Sequence, residues 1–150
     1  MRAYARFAVL LTMFAAVYVS AGDSPAQLKA RADSSHGGEQ AKLSLEYAQV
    51  QLEAADKLFT NGDADQGQAN IQEVVAYSRK AADAATSSGK HVKETEIKLR
   101  KLAERMHDIG ETLAFEDRQP VRQAVEQLQQ IRSDLMVKMW GPDAQPKGSS

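Results

Sequence analysis

Glu104 and His107 come nearest, by residue type and spacing, to a metal site in this sequence. On a predicted helix, side chains three residues apart lie on the same side, so a carboxylate and an imidazole could share one ion. Di-iron bundles use two such Glu-x-x-His pairs with further glutamates, all pointing into the core. This chain has one pair, outside the apolar seam of its helix, with Glu111 one turn beyond. We therefore expect no metal centre, and keep Glu104, His107 and Glu111 as candidates for a surface site.

Catalytic motifs are incomplete. Residues 87–90 spell the Ser-x-x-Lys of penicillin-binding enzymes, but the Ser-Asp-Asn and Lys-Thr-Gly motifs that complete such a site do not occur. The chain has no cysteine, which excludes disulfides, thiolate nucleophiles and cysteine-ligated zinc. We predict a protein that is not an enzyme and that uses no cofactor.

Charge is unevenly distributed along the chain. Residues 46–83 carry seven acids and three bases, whereas residues 90–105 carry six bases and three acids. These two regions could complement each other inside the fold, or the basic one could contact an anionic partner such as a lipid head group or an acidic protein. The basic face consists of Lys90, Lys93, Lys98, Arg100, Lys101 and Arg105. A net charge of −1 for the whole chain argues against nucleic-acid binding, which depends on an excess of basic charge.

Residues 1–21 have the pattern of a secretory signal peptide. Arg2 and Arg6 precede a run of apolar residues over 7–19, and small residues follow at 20 and 21. The apolar run is shorter than the ~20 residues that a membrane-spanning helix needs. We expect cleavage and export to the periplasm or the medium, and no transmembrane segment after cleavage.

Apolar residues at helical spacing organise the rest of the chain. They predict four helices, at about 39–60, 65–87 and 90–114, and from a break at 116–120 to Trp140. Residues 22–38 are expected to be flexible or partly helical, residues 39–140 to form the bundle domain, and residues 141–150 to form a disordered tail. Short turns favour an all-α, up-down bundle of about four amphipathic helices, with coiled-coil-like heptads in the third. The alternative is two stacked helical hairpins of the tetratricopeptide type.

The first of these long helices is apolar on two sides. One stripe suits a core, and the second suggests a partner face made of Leu43, Tyr47, Val50 and Ala54. We therefore predict a non-catalytic protein-interaction or scaffold module of the cell envelope, with a protein partner or self-association. Two alternatives stay open, namely a bundle that binds a metal or small ligand, and a peripheral binder of anionic membranes through residues 90–105.

Overall fold

The computed structural model describes residues 22–141, so the predicted signal peptide and all of the predicted tail except Gly141 lie outside this range. The described part of the chain is all-helical and has no strand. Its five helices are α1 (Pro25–Ser34), α2 (Gly37–Thr60), α3 (Ala64–Ser88), α4 (Val92–Thr112) and α5 (Phe115–Trp140). None of these five is both long enough and apolar enough to cross a membrane.

The helix that the predicted count of four leaves out is α1. Ser24 caps it, because its hydroxyl accepts a hydrogen bond from the Gln27 amide and its own amide donates to the Gln27 side chain at 2.9 Å. Pro25 occupies the first helical position, where its missing N–H costs no hydrogen bond. Leu28 and Ala32 are buried on the face toward the core. With Leu28 as its one large apolar residue, α1 shows little apolar periodicity in the sequence.

The predicted break at 116–120 is also wrong, because α5 begins at Phe115 and contains Pro120. Its first turn closes when the amides of Asp117 and Arg118 donate to the Ala114 carbonyl, at 3.1 and 3.0 Å. Near a helix start, proline removes one hydrogen bond while its fixed φ remains helical. The chain therefore passes from α4 to α5 through two residues, which sets these helices side by side.

The helices pair as two antiparallel hairpins, α2 with α3 and α4 with α5, which lie against each other. Between the hairpins, α2 lies beside α4, α3 lies beside α5, and α3 also contacts α4. Asp56 of α2 is 2.6 Å from Arg105 of α4, and Gln68 of α3 donates to the Asp117 carbonyl of α5 at 3.0 Å. An up-down bundle would close by packing α5 on α2, and no such contact occurs within residues 22–141. This arrangement leaves α2 and α4 as parallel neighbours.

The core confirms the heptad pattern predicted for α4. Thr95, Leu99, Leu102, Met106 and Ile109 are all buried. The inner faces of the other long helices complete the core, with Ile71, Val74, Val121, Leu128 and Leu135 at most 1% exposed. The outer face of α4 is consequently free to carry polar side chains.

Candidate binding groove

The predicted partner face on α2 lies mostly inside the fold. Leu43 and Tyr47 are 4% and 5% exposed and belong to the same core cluster as Leu28 of α1. Val50 and Ala54, further along α2, are half-buried. Since α1 and α3 both pack on α2, Leu43 and Tyr47 lie between these helices, and neither residue lines a cavity described in this structure.

Hydrogen bonds that involve two tyrosines and two acidic residues hold α1 against this face of α2. The Tyr47 hydroxyl donates to Glu73 Oε2 at 2.9 Å, and Lys29 Nζ of α1 lies 3.0 Å from the same oxygen. The Tyr77 hydroxyl donates to Asp33 Oδ1 of α1 at 2.8 Å. The two tyrosine rings meet edge to face with centroids 4.4 Å apart, and the Lys29 ammonium lies 5.8 and 5.6 Å from those centroids.

The two carboxylates of this cluster are stabilised in their charged form. A hydrogen bond from Lys80 is the main cause that lowers the pKa of Asp33. Burial acts to raise the pKa of Glu73, but hydrogen bonds from Lys29 and Tyr47 outweigh it and the net shift is downward.

The two phenols show the opposite response. Burial, followed by the hydrogen-bonded acids Glu73 and Asp33, raises the pKa of Tyr47 and of Tyr77. Both hydroxyls therefore stay protonated at neutral pH and act as donors. We conclude that the cluster attaches α1 to α2 and α3.

The candidate metal ligands are dispersed on the outer side of α4. Glu104, His107 and Glu111 are all exposed, and Glu104 lies 4.0 Å from Arg100. Within residues 22–141, no group of three or more histidine or acidic side chains is arranged to hold a metal ion.

The structure divides the predicted basic face into two sets. Lys98, Lys101 and Arg105 line the space between α2 and α4. Lys90, Lys93 and Arg100 are exposed and line none of that space. Three of the six predicted bases therefore line the space between α2 and α4.

The space between α2 and α4 consists of two adjoining cavities of about 420 and 380 Å³, which we call the α2–α4 groove. Leu45 and Lys98 line both cavities, so the groove is continuous. Leu45, Leu52 and Leu102 form its apolar floor, and each is largely buried, with 3%, 2% and 6% of its surface exposed. The three leucines lie deep between the two helices, below side chains that reach solvent.

The rim of the α2–α4 groove carries positive charge. Lys98 and Lys101 form no ion pair with any side chain in the described part of the chain, whereas Arg105 is paired with Asp56. Glu53 is the acid on this stretch of the rim. An apolar floor under unpaired ammonium groups can hold a ligand that is apolar on one side and acidic on its edges.

The length of the α2–α4 groove indicates the size of ligand it can take. It follows α4 from His91 to Arg105. At ~1.5 Å of rise per residue, that stretch is about 21 Å long, or four helical turns. The bases of α4 can be recognised in the sequence, but the parallel packing of α4 against α2 cannot. That packing is what places Leu45 and Leu52 of α2 beneath Lys98 and Lys101.

Comparison of the chain with protein-family models, curated proteins and solved structures finds no match.

Proposed function

We propose that the protein is an exported, non-catalytic interaction module whose α2–α4 groove binds an acidic amphipathic helix of a partner protein. The observation that carries this proposal is the apolar floor of Leu45, Leu52 and Leu102 beneath the unpaired Lys98 and Lys101. Export rests on the signal pattern of residues 1–21.

A helix suits the α2–α4 groove for reasons of shape and charge. Helix-in-groove recognition places one apolar stripe, repeating every three or four residues, on an apolar floor between two flanking elements. Here α2 and α4 are the flanking elements, and the groove extends over about four turns. Acidic residues beside the stripe would meet Lys98 and Lys101, which gives the partner both orientation and specificity.

A protein partner suits the groove better than a membrane surface. The floor leucines are recessed between two helices, so a flat bilayer would touch the lysine ammonium groups and leave the floor uncovered. Three of the exposed bases, Lys90, Lys93 and Arg100, lie outside the groove. Their separation from Lys98 and Lys101 favours recognition of a narrow acidic segment.

Charge reversal of the rim tests the proposal. The probe is a synthetic helical peptide of about four turns, with leucines at helical spacing flanked by glutamates. We expect Lys98→Glu with Lys101→Glu to weaken its binding roughly tenfold or more, because attraction becomes repulsion at two positions. Isothermal titration calorimetry gives the dissociation constants.

The matched control is Lys90→Glu with Lys93→Glu, which makes the same charge change at and just before the start of α4, outside the groove. This control should leave the affinity for the peptide nearly unchanged. A peptide with lysines in place of the glutamates should bind neither the wild-type protein nor this control variant. Equal losses in the two double variants, or binding of the lysine peptide, would show non-specific charge attraction and refute the proposal. Flotation with anionic vesicles that depended on all six bases would favour the membrane alternative.

A further inference from the structure

A buried hydroxyl lies at the His91 end of the α2–α4 groove without a hydrogen-bond partner. Thr95 is 1% exposed, and its Oγ1 has no partner in the described part of the chain. Buried polar atoms are nearly always paired, because an unpaired one loses its hydration without replacement. Thr95 also lines the cavity of about 380 Å³ at this end, so a ligand in the groove can reach the surroundings of that hydroxyl.

Two lysines line the same cavity as Thr95. Lys42 of α2 and Lys98 of α4 line it, with Glu94 as the one acid among the lining residues, and the Lys42 ammonium lies 3.9 Å from Glu46 Oε1 of α2. The first turn of α4 also begins here, and His91 at its N-cap has φ 59° and makes no side-chain hydrogen bond to that turn. The uncapped amides of a helix start add positive potential to that of the two lysines.

We propose that the His91 end of the α2–α4 groove is a carboxylate-binding subsite, in which the Thr95 hydroxyl donates to the carboxylate and Lys42 and Lys98 balance its charge. This inference rests on the proposed function and deepens it. The ligand group would be an aspartate or glutamate side chain of the partner helix. One carboxylate held at one end of a four-turn groove fixes the register of that helix along the leucine floor.

Two other buried hydroxyls provide an internal contrast. Ser44 and Ser78 are 0% exposed and also lack partners, but neither lines a cavity described between the helices. A ligand cannot reach them in this structure. Thr95 differs because the residue lines a cavity that Lys42 and Lys98 also line, while its Oγ1 is itself buried.

Decanoate is the probe for this subsite, because it joins one carboxylate to an apolar chain that can lie along the groove floor. In a titration of the ¹⁵N-labelled protein with sodium decanoate, we expect saturable amide shifts at Thr95, Lys98 and Leu45. Thr95→Val keeps the side-chain shape and removes the hydroxyl. It should weaken decanoate about tenfold, the usual consequence of losing a hydrogen bond to a charged group.

Thr95→Val should at the same time raise the melting temperature of the free protein, since it removes an unpaired buried polar group. Ser78→Ala is the control, because it removes another unpaired hydroxyl and should leave decanoate binding unchanged. A residue with a purely structural role would not lose ligand affinity while gaining stability. The proposal is overturned if Thr95→Val leaves decanoate affinity unchanged or if the shifts map away from the His91 end.

The two proposals fail in different ways. If decanoate does not bind at Thr95 while the acidic peptide still depends on Lys98 and Lys101, the subsite is wrong and the α2–α4 groove remains the partner site. If decanoate binds as expected but the peptide does not, the subsite stands as a small-carboxylate site and the helix-binding function is wrong.

Discussion

Leu99→Ala is expected to lower the free energy of unfolding by roughly 3–5 kcal/mol, the largest effect we predict for a single substitution. Leu99 is fully buried in the seam of α4, beside Thr95 and Leu102. Truncation removes three buried carbons and leaves a cavity that a close-packed core fills only in part. Urea unfolding followed by circular dichroism at 222 nm measures the change directly.

Ile97→Ala is the matched control for Leu99, since it removes the same number of carbons from the same helix. Ile97 is only half-buried, so we expect a loss of less than about 1.5 kcal/mol. Equal losses from the two substitutions would mean that α4 does not pack through the face that contains Leu99. The position of the α2–α4 groove would then be wrong as well, because it depends on the same orientation of α4.

Glu96→Gln is expected to cost about 1–3 kcal/mol, the second-largest effect. Glu96 of α4 accepts from Arg132 Nε of α5 at 2.5 Å, and their side chains are only 14% and 27% exposed. The substitution leaves a partly buried guanidinium without its counter-charge, while the shape of the side chain is kept. Thermal unfolding of the variant, together with Arg132→Met and the double variant, isolates the energy of the pair.

Asp56→Asn is the control for that ion pair. Its partner Arg105 also bridges two helices, at 2.6 Å, but the side chains are 35% and 57% exposed. Solvent screens such pairs, so we expect a loss of less than about 1 kcal/mol. A loss at Asp56 equal to that at Glu96 would contradict the burial difference on which both expectations rest.

The sequence predicts the helices of this protein well and their arrangement poorly. The seam of α4 is readable because Leu99, Leu102 and Met106 repeat at heptad spacing and then bury together. Which helices become neighbours depends on contacts between distant segments, such as Gln68 with Asp117, which leave no local pattern. The short turns predicted an up-down bundle, whereas the structure has two hairpins that contact each other along parallel helices.

Contacts between distant segments also explain why the predicted partner face on α2 is covered. Leu43 and Tyr47 form a second apolar stripe, which is equally compatible with an interface or a core. In the structure α1 packs on α2 and makes this stripe part of the core. It contributes the buried Leu28 and Ala32 and the hydrogen bonds of Lys29 and Asp33. Amphipathic periodicity does not detect a short helix held by hydrogen bonds. The sequence does not reveal the groove on the other side of α2, because its floor leucines repeat at the same helical spacing as core residues.

Photocrosslinking within the α2–α4 groove, in cells that produce the protein, tests the central claim most directly. A photoreactive residue placed at Gln49, exposed on the groove wall, should form an adduct with one partner protein, and the same residue at Gln129 on α5 should not. We predict that the crosslinked partner segment carries acidic residues beside an apolar stripe at helical spacing. The adduct should disappear with Lys98→Glu and Lys101→Glu and persist with Lys90→Glu and Lys93→Glu. An adduct that survives reversal of Lys98 and Lys101, or that joins Gln49 to lipid, would contradict binding of an acidic helix in the α2–α4 groove.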